Sequence, residues 1–367
     1  MGKRVVFGGL IAILAACGGS VDTETGRVTT VVPQTEGEPG LYQPVTPKGP
    51  ERIAEGLGSP TAIVMTDDRI LFTTRSTTLA GEPVAAGALY VADKRVGPAL
   101  VLTVDRRGAS FDALAIDGTT AFIATSDARI MSIPVSGGTA AIVATVAAPA
   151  TTIAASGNHV YFATSDGALA RVAKTGGDIE PLATITGAIR GLEADDVAVY
   201  VATGAAEETP AGIVRVPLDG SAVTVLAAGA EPCAMIRDGR RLFWTSIAAA
   251  SEDGTKAGKG EVKRLSLEGG EAATVASGAF SACAIAADKD SLYFATTIAG
   301  ALPVKNGGAG GGATTMSGLG LMRAPIGGGE PVAIAAAAHA LPQPGAVAVD
   351  AKHVYWLTET SVLRLAK

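Results

Sequence analysis

Histidine is nearly missing from this chain: there are three in 367 residues, His159, His339 and His353. His159 and His353 each stand directly before a Val-Tyr pair at the same place in a repeated segment, a solvated turn position; His339 falls in a loop. There is no His-Glu-x-x-His pattern, no Ser-His-Asp set and no metal-spaced histidine pair, so the usual signatures of metalloproteases and serine hydrolases are absent. Cysteine is as scarce, at three, and aromatic residues make up 4% of the chain. Basic residues are outnumbered, 29 Lys and Arg against 35 Asp and Glu, for a formal net charge of −6. An anionic body of this kind does not suit a nucleic-acid backbone or an anionic lipid surface. Long apolar runs are missing too. The longest, Val5 to Leu14, is too short to span a bilayer as a helix, which needs about 20 residues. The glycine-rich run 307–312 lacks the Lys-Ser/Thr that a phosphate loop requires and is expected to be a plain loop.

What is there begins at the N-terminus. Lys3 and Arg4 precede the apolar run, which ends in Leu14-Ala15-Ala16-Cys17-Gly18. A charged start, a short apolar stretch and small residues mark residues 1–16 as a signal peptide rather than part of the fold. The terminal motif resembles the lipobox of bacterial lipoproteins. The resemblance implies cleavage before Cys17, lipidation of Cys17, and a place in the bacterial cell envelope. Gly18 stands where an Asp would resemble an inner-membrane retention signal, so the outer membrane is favoured over the inner. Three acyl chains would hold the protein firmly, where one alone binds marginally. Residues 18–50 are rich in Ser, Thr, Gly, Pro and Glu. They cannot bury enough surface to offset their ordering entropy, and they read as a flexible tether with a reach on the order of 30 Å.

From residue 51 onward a repeat governs the sequence. An Asp is followed five residues later by Phe or Tyr: Asp67/Phe72, Asp117/Phe122, Ser156/Tyr161, Asp195/Tyr200, Asp238/Phe243, Asp288/Tyr293 and Asp350/Tyr355. A period of roughly 40–60 residues built from short strands predicts a β-propeller. Residues 189–228 show one unit: short strands at 191–194, 197–203, 213–217 and 223–226, with a tight turn at Asp219-Gly220 in which both central residues are expected to take positive φ. The last unit stops after its third strand, and 51–54 reads as the missing fourth. The expectation is an all-β, seven-bladed propeller of four-stranded antiparallel blades over 51–367. An N-terminal strand completes the last blade and removes the exposed edges.

Val354-Tyr355-Trp356-Leu357-Thr358, Leu242-Phe243-Trp244-Thr245 and Leu218-Asp219-Gly220 resemble the repeats of YWTD-type receptor propellers and of bacterial secreted propellers. YWTD propellers have six blades and a second Asp after the Thr, where this chain has Ser246 and Glu359. The family's binding roles are therefore not carried over.

The repeat also sorts scaffold from site. A carboxylate at each turn is expected to cap its own hairpin, and the aromatics to pack between blades. Arg171, Arg215, Arg264, Arg323 and Arg364 share one third-strand position, which points to a repeated structural contact with loop carbonyls. Cys233 and Cys283 each lie ten residues before their blade's aromatic, and so occupy equivalent positions in adjacent blades. In an exported protein they form either a disulfide or two buried thiols; a metal site is disfavoured because no His or carboxylate accompanies them. The residues five before each Asp position should ring the channel mouth: Ala62, Asp112, Thr151, Arg190, Cys233, Cys283 and Gly345. Asp112 and Arg190 are the charged members.

Insertions between second and third strands, at about 75–87, 204–212, 246–260 and 299–319, gather on one face together with these residues. Insertions on one face mark a binding face. The function expected is a membrane-tethered binding or scaffolding propeller that recognises a protein or envelope ligand through this face. It is expected to be a monomer without cofactor, resident metal or nucleic-acid partner, and no residue is nominated as catalytic. The alternative is a propeller hydrolase or lyase with a metal at the channel mouth, touching Asp112 or Glu193.

Overall fold

The computed structural model describes residues 49–79, 82–94, 98–207, 210–229, 231–246, 260–278, 280–298, 318–337 and 346–367, with the short strands Ser20–Val21 and Val28–Thr29. Met1–Thr46 and Pro47–Lys367 form separate units. In the first, Ser20 pairs with Thr29 and Val21 with Val28. The signal segment, Cys17 and most of the tether lie outside the described residues.

The second unit is a seven-bladed β-propeller. Six blades are four-stranded antiparallel sheets in sequence order, over 58–104, 111–145, 150–184, 189–228, 232–278 and 280–337. Blade one carries an extra strand, Glu82–Val84, paired to its second strand. The seventh blade has three C-terminal strands, and Glu51–Ala54 supplies its outermost one, with Glu51 opposite Arg364 and Ala54 opposite Val362. The strand predicted at the N-terminus therefore does close the ring.

The core sits between blades rather than within one. Blade four shows how the pattern works. Leu192, Ala194, Val199 and Val201 pack on Tyr161, Ala163 and Leu169 of blade three. On the other face of the same sheet, Tyr200, Ala198 and Ala202 pack on Met235, Leu242 and Trp244 of blade five. Alternation in a strand gives each blade two apolar faces, and each is covered by a neighbour. The abundant Ala and Val keep the inner strands thin where the blades converge.

The repeated Asp turns out to do three things. Asp195 Oδ1 accepts from the Val197 and Ala198 amides at 2.9 Å, and Oδ2 accepts from the Tyr200 hydroxyl at 3.1 Å. Asp288 with Tyr293 and Asp350 with Tyr355 repeat the arrangement, with hydroxyl contacts of 3.1 and 2.9 Å. The five-residue spacing is thus a carboxylate that caps its turn and anchors the ring that follows it. Blades two, three and five use another solution. Gly118, Gly157 and Gly239 take φ of 56°, 52° and 58° at the first position of two-residue turns, as a type II′ hairpin requires. Third, a lysine of the next blade reaches back to the carboxylate in three seams: Lys174 to Asp117, Lys367 to Asp288 and Lys94 to Asp350.

Two expectations need correction. In blade one the repeat is shifted by one residue: Thr66, not Asp67, accepts from the Arg69 amide and begins the turn, and Leu71 rather than Phe72 is the register partner of the other aromatics. The turn at Asp219-Gly220 has a positive φ at Gly220 alone, 80°; Asp219 keeps an ordinary φ and accepts the Ser221 amide with its carboxylate.

Candidate functional site

The pairing of first with second strands is interrupted at one place in each of six blades. The skipped residues are Thr61, Asp112, Thr151, Arg190, Cys233 and Cys283. Each is a β-bulge, one extra residue that is left out of the ladder and has its side chain re-aimed. The channel-mouth positions read from the sequence are thus the bulges themselves, with Thr61 replacing Ala62 because of the shift in blade one. Ala62 is a buried core residue, and Gly345 lies outside the described residues.

The bulged side chains reach sideways. Thr61 Oγ1 donates to the Phe111 carbonyl of blade two at 2.8 Å. Asp112 accepts from Ser110 Oγ at 2.9 Å and faces Arg75 Nε of blade one at 3.5 Å. Arg190 Nη2 lies 4.0 Å from Glu231 Oε1 at the entry to blade five, and its Nε is buried without a hydrogen-bond partner. Cys233 and Cys283 are joined as a disulfide across blades five and six, with Cα atoms 4.8 Å apart. Two straight inner strands could hold their Cα atoms beyond the reach of a disulfide; two facing bulges bring them within it.

This ring stands at the ends of the strands that carry the insertions. A side chain at Gly204, where the insertion of blade four begins, would place its Cβ 3.7 Å from Arg190 Nε. Residues 247–259 and 299–317 of the insertions in blades five and six lie outside the described residues. Among the described residues no three His, Cys, Asp or Glu side chains converge as a metal site would need. Of the charged members of the ring, Asp112 is engaged by Ser110 and Arg75, while Arg190 reaches only toward Glu231.

Glu193 sits two residues past a bulge boundary, opposite Tyr200, on the face of blade four that meets blade five. Desolvation pushes its carboxyl up to about 7, although the Arg237 charge and backbone amide pull the other way. It is held in the seam between two blades, not at the mouth with Asp112. The five third-strand arginines stand in register opposite the aromatics. Arg171 and Arg364 pair with carboxylates of the fourth strand, Glu180 and Glu51, at 2.7 Å, and Arg364 Nη1 donates to the Lys94 carbonyl at 2.6 Å. Loop carbonyls are therefore one part of their role, and cross-strand carboxylates another.

One charged centre escaped the sequence. Arg129, at the start of the third strand of blade two, is 6% exposed and forms ion pairs with Asp105 at 2.5 Å and Asp127 at 2.8 Å. Burial works against its charge, and the two carboxylates more than offset this, so its pKa is raised. In the other blades the same register position holds Ala88, Ala168, Gly212, Glu261, Gly320 and Ser361. A strand-by-strand alignment of the repeats would have flagged it as the one arginine where small residues are the rule.

No family model matches the chain, and none of the curated proteins does. Solved structures are similar in fold. A structure of YCF48 bound to a D1 peptide matches with 11% identity over 87% of this chain and 96% of that one, at a TM-score of 0.57. The extracellular domain of a hybrid two-component system from B. thetaiotaomicron matches with 10% identity over 86% of this chain and 39% of that one, at 0.59. A nidogen/laminin complex matches with 13% identity over 65% of this chain and 86% of that one, at 0.46.

Proposed function

We propose that this chain is a binding or scaffolding propeller, tethered through a lipid on Cys17 to the bacterial cell envelope, with the outer membrane favoured, and that it engages a protein or envelope ligand through its insertion-bearing face. The observation that carries the reading is the bulge ring. Its side chains staple neighbouring blades at the channel mouth through the Cys233–Cys283 disulfide, the Thr61 hydrogen bond and the Arg75–Asp112 pair. Such a ring makes a rigid rim under variable loops, the arrangement expected of a recognition surface. A propeller of similar fold, YCF48, has been solved with a peptide bound. The experiment is a pull-down from envelope extract with residues 18–367, repeated with 299–319 shortened. Capture that depends on the inserted loop supports the reading, and capture indifferent to the loop overturns it. Replacing Cys17 with Ser should release the protein from membranes and abolish labelling by a palmitate analogue.

The alternative of metal-assisted hydrolase or lyase chemistry needs Asp112 and Glu193 to meet at one ion. They lie on the first strands of blades two and four, and the Glu193 carboxyl is turned into the seam with blade five. A stoichiometric divalent metal in purified protein, lost on Asp112→Ala, would favour that reading instead.

A further inference from the structure

The seam between blades one and two opens into a cleft of about 1250 Å³. Arg129 and Met131 form part of its floor, Arg106 and Arg107 stand exposed at its rim, and Leu102 and Ile142 line its walls. We propose that this cleft binds a carboxylate-bearing peptide, gripped by the Arg129 guanidinium at the floor and the Arg106 and Arg107 guanidiniums at the rim.

Three observations lead there. The first is an underused donor. Arg129 spends Nε and Nη2 on Asp127 and Asp105, and the partner of its Nη1 is the Met131 sulfur at 3.5 Å. A thioether is a weak acceptor. A guanidinium held rigid on two edges and poorly satisfied on the third presents a preorganised donor to whatever oxygen enters the cleft.

The second is the local charge. Asp105 and Asp127 are both already engaged by Arg129, and Asp105 also accepts the Arg107 amide at 2.6 Å. Three guanidiniums against two committed carboxylates leave a positive pocket on a chain of net charge −6. Because the buried ion pairs keep Arg129 in place without a ligand, binding need not order it.

The third is the form of the walls, which favours a peptide. The cleft follows the outermost strand of blade one, Leu100–Val104, the terminal strand of its sheet among the described residues. Leu102 on that strand and Ile142 across from it line the cleft, and Ile142 is 49% exposed. An extended chain can pair with a free edge, place alternate apolar side chains on such residues, and direct a carboxylate to the arginines between them.

Calorimetric titration of the full chain tests this, with a pentapeptide Glu-Val-Glu-Val-Glu as probe, its Gln-Val-Gln-Val-Gln counterpart and inorganic phosphate as controls. The acidic peptide should bind and the glutamine peptide should not. The double variant Arg106→Gln/Arg107→Gln, on exposed side chains, should weaken binding by about tenfold or more. Arg129→Lys keeps a charge for Asp105 and Asp127 but loses the fork, and should weaken it comparably; a thermal melt confirms that both variants fold. No binding of the acidic peptide at millimolar concentration, equal binding of the glutamine peptide, or indifference to the rim variants overturns the proposal. Phosphate binding as tightly as the peptide overturns the peptide assignment and leaves a simple anion site.

Discussion

The two faces of this ring are built on opposite rules. On the turn face the same device recurs: Asp195, Asp288 and Asp350 each cap two amides and take a tyrosine hydroxyl, and Lys94, Lys174 and Lys367 each reach a carboxylate of the preceding blade. On the insertion face the geometry recurs while the residue changes. The bulge is present in each of the six blades whose position is described, but its side chain is Thr, Asp, Thr, Arg, Cys and Cys in turn. Repeated chemistry keeps blades together. A repeated backbone with varied chemistry offers six positions carrying four kinds of side chain at one rim, and that is where specificity can be written.

The contrast can be broken by mutation. Changes on the insertion face should have large effects that differ from blade to blade, and changes on the turn face small ones that match. The largest effect is expected for Arg129→Ala. It leaves Asp105 as an unpaired buried charge and should destabilise the protein by about 3–5 kcal/mol in a urea titration. Next comes the disulfide. Its cysteines are 50 residues apart, and loop-closure entropy for a loop of that size amounts to roughly 4 kcal/mol. The double variant Cys233→Ser/Cys283→Ser should lose about 2–4 kcal/mol, and so should the wild type under reductant. If Arg129→Ala and the cysteine variant were no worse than a turn substitution, the distinction between the faces would fail.

The turn substitutions are smaller. Tyr200→Phe, Tyr293→Phe and Tyr355→Phe each remove one hydroxyl-to-carboxylate bond and should each destabilise by about 1 kcal/mol, with closely similar values in all three blades. Burial works against the Asp350 carboxylate, yet the Lys352 and His353 amides and the Tyr355 hydroxyl outweigh it, and its pKa lies below the ordinary Asp value. Its contribution is therefore present above about pH 4, the unfolded value, and is lost as pH falls through the lower folded one. An effect of opposite sign belongs to Glu193. Burial raises its folded pKa to about 7, above the ordinary Glu value of 4.5, so the native state holds a proton that the unfolded chain has released. Stability should fall as pH rises from about 4.5 to about 7, and Glu193→Gln should remove that slope and raise the melting temperature at pH 8.

The ring, the blade count and the closing strand were legible in the sequence because the repeat marks turns, and turns fix strand ends. Blade one misled by a single position: Asp67 and Phe72 satisfy the spacing, but Thr66 takes the cap and the register follows Thr66. A hydroxyl can do the work of a carboxylate there, and spacing alone does not distinguish adjacent candidates. Five of the positions nominated for the channel mouth coincide with bulges and Ala62 misses by one; the bulges themselves were not foreseen, because an unpaired residue leaves no mark on a hydrophobic pattern. Arg129 was hidden for a related reason. Its partner Asp105 lies in the link between blades one and two, 24 residues away, and an ion pair to a link has no sequence period.

The strand Glu51–Ala54 sets the order of events when the chain folds. Glu51 holds Arg364 through paired hydrogen-bonding atoms, and 313 residues separate them. The first strand of the body to be synthesised therefore waits for the last. Each inner blade can assemble from local hairpins as it emerges, but Glu51–Ala54 has no strand to pair with until Val362–Ala366 has been made. The closing step is the longest-range contact in the body and the slowest kind to form. Without residues 362–364 the strand Glu51–Ala54 would have no partner to join, and the ring would stay open at that seam.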